Sequence, residues 1–187
     1  MKPLALFATL ACAVVLAAPA GAQKVKLATS MGDIVVQLDA EKAPKTVANF
    51  LQYVKAGHYN GTVFHRVIDG FMVQGGGLSA EMQEKPTRPP IPLESRNGLS
   101  NVRGTLAMAR TQVPDSATAQ FFINVGDNLR LDAANAADGN GYAVFGRVLD
   151  GMDVVDRIKT VPVGNKAGHQ NVPQKAVAIQ QATLLEK

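Results

Sequence analysis

The sequence predicts a mainly β domain in which about eight short strands form a closed barrel and two α-helices cover its open ends. Short runs rich in Val, Ile, Thr and Phe recur between glycine-containing turns, as they do in sandwiches and barrels. Helical periodicity is confined to two segments, and two helices suffice to cover the ends of a barrel. The length, 187 residues, allows one domain with a sizeable core and leaves little room for a second.

Taken in order, segments 25–29 and 34–38 are β-rich and flank Ser30-Met31-Gly32-Asp33, where glycine and aspartate suit a tight turn. They predict an opening hairpin. Between Pro44 and Gly57 the period changes, with Val47, Phe50, Leu51 and Val54 at i, i+3, i+4 and i+7 on one helical face. Proline suits the first helical turn and glycine the stop. Further strands are predicted at 62–68, 71–74, 104–109, 120–125, 142–149 and 176–184. A second helix is predicted at 152–158, with Asp150 as its cap and Asp153 in its first turn, where negative charge suits the helix dipole. Segments 78–103 and 127–141 are rich in Pro, Asn, Asp and Gly without periodicity, and are predicted to be surface loops. Loops on a rigid scaffold are where binding usually sits.

Residues 1–22 stand apart from this pattern. Met1-Lys2-Pro3 is a short positive start, 4–18 is an apolar run, and Ala20-Gly21-Ala22 is the small-x-small pattern a signal peptidase needs. A cleaved signal peptide over 1–22 and a mature domain over 23–187, beginning at Gln23, are expected. The run is short for a bilayer core of about 30 Å, so no stable membrane association is expected after its removal. Cys12 is the single cysteine and lies inside that run, so the mature chain would have no disulfide, no catalytic thiol and no Cys-ligated zinc. Lipidation at Cys12 is the alternative, although Thr9-Leu10-Ala11-Cys12 matches a lipoprotein box only loosely.

The net charge of +4 falls to +3 without Lys2, the one charged residue of that segment. Lys and Arg are scattered among Asp and Glu, which argues for a solvated surface and against a nucleic-acid partner. His58, His65 and His169 have no metal-ligand spacing, and no Gly-x-Ser-x-Gly elbow or phosphate-binding loop is present. Gly75-Gly76-Gly77 reads as a flexible strand exit, and nothing selects a pair among the fifteen acids for hydrolysis.

The unusual stretch is Phe64-His65-Arg66-Val67-Ile68-Asp69-Gly70-Phe71-Met72-Val73-Gln74-Gly75-Gly76. Strand alternation puts Arg66 on one face with Phe64, and His65 on the other. A charged residue beside an aromatic is odd for a core, so Arg66 either reaches water at a barrel rim or lines a site.

This stretch resembles the cyclophilin signature. Met108-Ala109, Gln120-Phe121-Phe122-Ile123-Asn124 and Ala143-Val144-Phe145-Gly146-Arg147-Val148 resemble the family's other core segments, in the same order and with similar spacing over nearly all of the mature chain. The resemblance implies an eight-stranded antiparallel barrel closed by two helices, and peptidyl-prolyl cis-trans isomerase activity. By position it implies a catalytic group of Arg66, Phe71, Gln74 and Phe122, and a substrate-binding group of Met72, Ala109, Arg110, Thr111, Gln120, Leu131 and Tyr142. Phe71, Met72, Phe122 and Leu131 would wall a proline pocket, Gln74 and Gln120 would hold peptide polar groups, and 109–111 would lie along the peptide groove.

The implied partners are proline-containing unfolded or exported polypeptides, with no cofactor and no metal. Arg130 stands where animal cyclophilins carry a tryptophan, Tyr142 where a histidine is usual, and Arg110 in place of a groove asparagine, so cyclosporin binding is expected to be weak. Asp115-Ser116-Ala117-Thr118 and Gly141-Tyr142-Ala143-Val144 are most similar to the bacterial periplasmic branch, which implies a periplasmic location. The alternative function is a peptide-binding chaperone that uses the same groove without essential catalysis.

Overall fold

The computed structural model describes residues 22–185, so the predicted signal peptide, but for Ala22, lies outside the described residues. The barrel strands are β1 (Lys24–Thr29), β2 (Gly32–Leu38), β3 (Thr62–Ile68), β4 (Met72–Ser79), β5 (Thr105–Met108), β6 (Phe121–Asn124), β7 (Val144–Asp150) and, last in the chain, β10 (Ala178–Leu185). They close in the order β1, β10, β3, β4, β6, β5, β7, β2, and every pairing is antiparallel. These are the predicted strands. A separate ribbon of β8 (Val163–Lys166) and β9 (His169–Pro173) was not predicted. Its turn places Ala167 and Gly168 at φ of 48° and 79°, and an alanine there hides the Asn-Gly signature by which such a hairpin is recognised.

Helix α1 (Pro44–Lys55) buries Val47, Phe50, Leu51 and Val54, the face that the periodicity marked. Phe50 reaches the barrel core, where its ring lies 5.5 Å from Phe121 and 5.2 Å from Phe145. The first turn of α1 contains no acid and no side-chain cap of its own. Glu94, from the long loop before β5, supplies both: its carboxylate accepts from the Lys45 and Thr46 N–H groups at 3.1 and 2.8 Å and from the Thr46 hydroxyl at 2.7 Å. Helix α2 (Met152–Lys159) packs Val154, Val155 and Ile158 into the same core.

Asp150 does not cap α2. It ends β7, its Oδ1 accepts from the Gly151 N–H at 2.9 Å, and Gly151 is the N-cap. At φ 84° a Cβ on Gly151 would stand 2.3 Å from the Asp33 carbonyl oxygen, so the approach of β2 requires glycine.

The period-two alternation sorts the barrel into an inner and an outer face. Val73, Leu106, Phe121, Ile123 and Phe145 point into the main core, whereas Met72, Ala107, Phe122 and Val144 form a second apolar cluster on the outside. Strand β3 breaks the rule. Phe64 pairs with Gly75 but Arg66 pairs with Gln74, so His65 is an extra residue in a β-bulge. The bulge separates Phe64, fully buried in the core, from Arg66, which is exposed, and strict alternation would have kept them together.

Gly75, Gly76 and Gly77 are not a flexible exit but the buried interior of β4. A Cβ on Gly76 would lie 2.9 Å from both the Tyr59 and Phe121 rings, and one on Gly77 would lie 2.4 Å from Gln120 Cγ. The run therefore makes room for core aromatics on one side and for Gln120 on the other.

Candidate active site

Five strands each present one residue to a row across the outer wall. Arg66 pairs with Gln74, Gln74 with Phe122, Phe122 with Ala107, and Ala107 with Val144. With neighbouring strands about 4.8 Å apart, the row is roughly 20 Å long, the length of a short extended peptide.

One end is apolar. Met72, Ala107, Phe122 and Val144 form a buried floor, and Ile68, Phe71, Leu99, Ala109, Leu131 and Tyr142 pack around it half-buried. Tyr142 stands edge-on to Phe122, with ring centroids 5.6 Å apart at 78°. The Arg130 guanidinium lies over Phe71, 4.6 Å from the ring centroid. An apolar patch with polar groups beside it suits a ligand that joins a compact apolar ring to polar peptide groups.

The other end is polar. Arg66 is exposed, and among the described residues its guanidinium has no carboxylate partner. Beside it the Gln74 side-chain amide donates to Gln120 Oε1 at 2.9 Å, which orients both amides and leaves Gln74 Oε1 and the Gln120 NH2 for a ligand. His65, on the bulge, is buried, and among the described residues its Nδ1 has no hydrogen-bond partner. Burial, with the nearby charges of His169 and Arg66, pushes its pKa down to about 4, so it stays neutral at pH 7 and adds no second cation beside Arg66. Arg66, Gln74 and Gln120 also border a polar cleft of about 390 Å³ that His169 and Glu84 help to line. A larger depression of about 560 Å³ shares only Leu99 and Val144 with the apolar cluster and contains none of the polar row.

Of the residues the sequence singled out, Arg66, Phe71, Met72, Gln74, Ala109, Gln120, Phe122, Leu131 and Tyr142 come together on this face. Arg110 and Thr111 adjoin it with their polar groups turned away. The Thr111 hydroxyl donates to Ser116 Oγ at 2.8 Å, and the Arg110 side chain is 2% exposed, donating from Nε to the Gly141 carbonyl at 2.8 Å.

The sequence reading missed three buried asparagines beneath the site. Asn128 Nδ2 donates to the Phe71 carbonyl at 2.8 Å and to Asn124 Oδ1 at 2.7 Å, and Asn124 Nδ2 donates to Thr105 Oγ1 at 2.9 Å. Asn101 donates from its backbone N–H to Asp132 Oδ1 at 2.7 Å. This network ties the loops carrying Phe71 and Leu131 to the barrel. Alternation could have flagged Asn124, two residues from Phe122 on the same face.

A closed eight-stranded barrel that carries an arginine, two amides and an apolar patch on its outer wall defines the cyclophilin class of protein. Residues 24–184 match the family described as cyclophilin type peptidyl-prolyl cis-trans isomerase/CLD. The chain is 57% identical over 162 residues to peptidyl-prolyl cis-trans isomerase cyp18 of Streptomyces antibioticus, covering 86% of this chain and 98% of that one. It is 56% identical over 159 residues to peptidyl-prolyl cis-trans isomerase B of Escherichia coli K12, covering 84% and 97%. A crystal structure of a cyclophilin type isomerase from Cryptosporidium parvum superposes with a TM-score of 0.73 at 26% identity, covering 89% of this chain and 99% of that one. The chain belongs to the cyclophilin-type peptidyl-prolyl cis-trans isomerase family, and it catalyses rotation about X-Pro peptide bonds.

Proposed function

We propose that this isomerase is exported as a member of the bacterial periplasmic branch, loses residues 1–22, and accelerates proline isomerisation in polypeptides that fold outside the cytoplasm. The exposed Arg66 guanidinium, which has no carboxylate partner among the described residues and lies on the same outer face as the apolar patch, supports the mechanism. Rotation about X-Pro must break amide resonance, with a barrier of roughly 18–20 kcal/mol. No covalent step is needed: an enzyme that binds the twisted amide better than either planar form lowers that barrier. Phe71, Met72, Phe122 and Leu131 hold the ring while Gln74 and Gln120 hold the flanking peptide groups, so the preceding carbonyl is free to swing. In the twisted state the proline nitrogen pyramidalises and regains a lone pair, and an Arg66 N–H donates to it. Arginine suits this because it stays charged at any working pH and offers N–H groups in a rigid fork.

The signal pattern of 1–22 and the placement of Cys12 within it support export. Purified from its native envelope, the protein should have the intact mass of a chain beginning at Gln23 and should fractionate outside the cytoplasm. A mature species that retained Met1 to Ala22, or carried lipid on Cys12, would overturn this.

Cyclosporin should bind weakly. Where an indole would offer an N–H and an apolar face, Arg130 offers a charge already stacked on Phe71, and an apolar ligand must partly desolvate that charge. Titration is expected to show Arg130→Trp gaining about tenfold or more in affinity, equivalent to about 1.4 kcal/mol. An unaltered dissociation constant would remove Arg130 as the cause.

A further inference from the structure

Arg110 follows β5 at the border of the apolar patch, yet each of its three guanidinium nitrogens donates to the protein. Nε donates to the Gly141 carbonyl at 2.8 Å, Nη1 to the Thr111 carbonyl at 2.9 Å, and Nη2 to the Asp138 carboxylate. Its Cζ lies over the Tyr142 ring, 4.7 Å from the centroid. Tyr142 in turn stands edge-on against Phe122. With three of its five N–H groups engaged and its side chain 2% exposed, it offers a peptide little, so its contribution to the site is geometric.

Asp138 is the anchor of this chain of contacts. One carboxylate oxygen, Oδ1, accepts from the Asn140 and Gly141 N–H groups at 2.9 and 3.1 Å, and the other takes Arg110. The segment it fastens is tightly packed. Gly141 sits at φ 65°, where a Cβ would stand 2.5 Å from the Leu131 carbonyl oxygen, and the Tyr142 N–H donates to that same oxygen at 2.9 Å. The Asn140 N–H, the Arg110 guanidinium and the Gly141 N–H hold the Asp138 carboxyl at about 2, so the anchor stays ionised through the neutral range.

We infer that Asp138 is a positioning residue for substrate recognition: through Arg110 it fixes the plane of Tyr142 against Phe122 and so sets one wall of the proline pocket. This rests on the reading of the Phe122 patch as the proline site. It explains how an arginine sits at the border of an apolar pocket without placing a free charge in it.

Asp138→Asn tests the link, because the amide oxygen still accepts from Asn140 and Gly141 while the charge that holds Arg110 is lost. Arg110→Met tests it from the other end, keeping an apolar stem against Tyr142 but no planar fork. Each should raise KM for a short X-Pro peptide by about threefold to tenfold with kcat largely kept, as expected for a lost stacking contact. The double variant should be no worse than either single one, and Arg110→Lys should not restore KM, because an ammonium has no flat face. An unchanged KM in folded Asp138→Asn, or penalties that multiply in the double variant, would overturn the inference. If Asp138→Asn melts below the assay temperature, an unchanged KM in Arg110→Met overturns it equally. Phe122→Ala, assayed alongside, separates the two levels. If it too leaves KM unchanged, the pocket reading itself fails. If it alone raises KM, only the role of Asp138 fails.

Discussion

Arg66→Ala is expected to lower turnover of an X-Pro peptide by roughly a hundredfold or more while KM changes little. Removing one preorganised donor from an active site costs about 2.7–4 kcal/mol of transition-state stabilisation. The effect should fall on kcat because the hydrogen bond strengthens only as the proline nitrogen pyramidalises. Stability should barely move. Arg66 is exposed and has no carboxylate partner among the described residues, so its loss leaves no buried group unpaired and the change should stay within about 0.5 kcal/mol. Arg66→Lys keeps the charge but loses the planar fork, and should recover only part of the activity. A rim arginine with a purely structural role predicts the opposite pattern, with altered melting and normal turnover of the folded fraction. Steady-state constants and a melting curve on the same preparation decide between them, and near-normal turnover in folded Arg66→Ala would end the mechanism.

Phe122→Ala should impair binding and turnover together. Phe122 is 4% exposed and packs with Met72, Ala107 and Val144 on the floor of the patch, and under the proposed mechanism it would touch the proline ring in planar and twisted states alike. Its loss leaves a cavity beneath the ligand, so kcat/KM should fall by about tenfold to a hundredfold. The fold also loses contacts: a buried Phe→Ala costs about 3–5 kcal/mol, and less at a pocket wall open on one side. Thermal melting should therefore drop in this variant and not in Arg66→Ala. Wild-type kinetics in a folded Phe122→Ala protein would remove Phe122 from the site.

Much of the fold was legible because its rules are local. Alternation marked the barrel strands, and the i, i+3, i+4, i+7 face of α1 is the face that packs on the core. The residues that gather on the outer face were marked by the motif, from Phe64 to Gly76 and around Gln120 and Phe122. What escaped depended on contacts distant in sequence. The bulge at His65 is a property of the β3–β4 register, so alternation along β3 alone placed Phe64 beside Arg66. Three consecutive glycines signal flexibility until Tyr59, Phe121 and Gln120 are seen filling the space where side chains would stand. Glu94 caps α1 at Thr46 from forty-eight residues further along the chain, and no local cap signal reports such a bond. Arg110 occupies a groove position in the sequence, but its partner Asp138 lies across a loop, so only the fold shows that its guanidinium is turned to the protein.

The closure of the barrel also bears on the company this protein keeps. Among the described residues each of the eight barrel strands has a hydrogen-bonded neighbour on both sides, β1 joining β2 and β10 to complete the ring. An unfolded chain arrives with bare backbone N–H and C=O groups that readily add to any open sheet edge, and such additions are how aggregates grow. The barrel meets that chain with side chains on its wall and no open edge. A client can therefore be gripped at one proline and let go, without being recruited as a ninth strand.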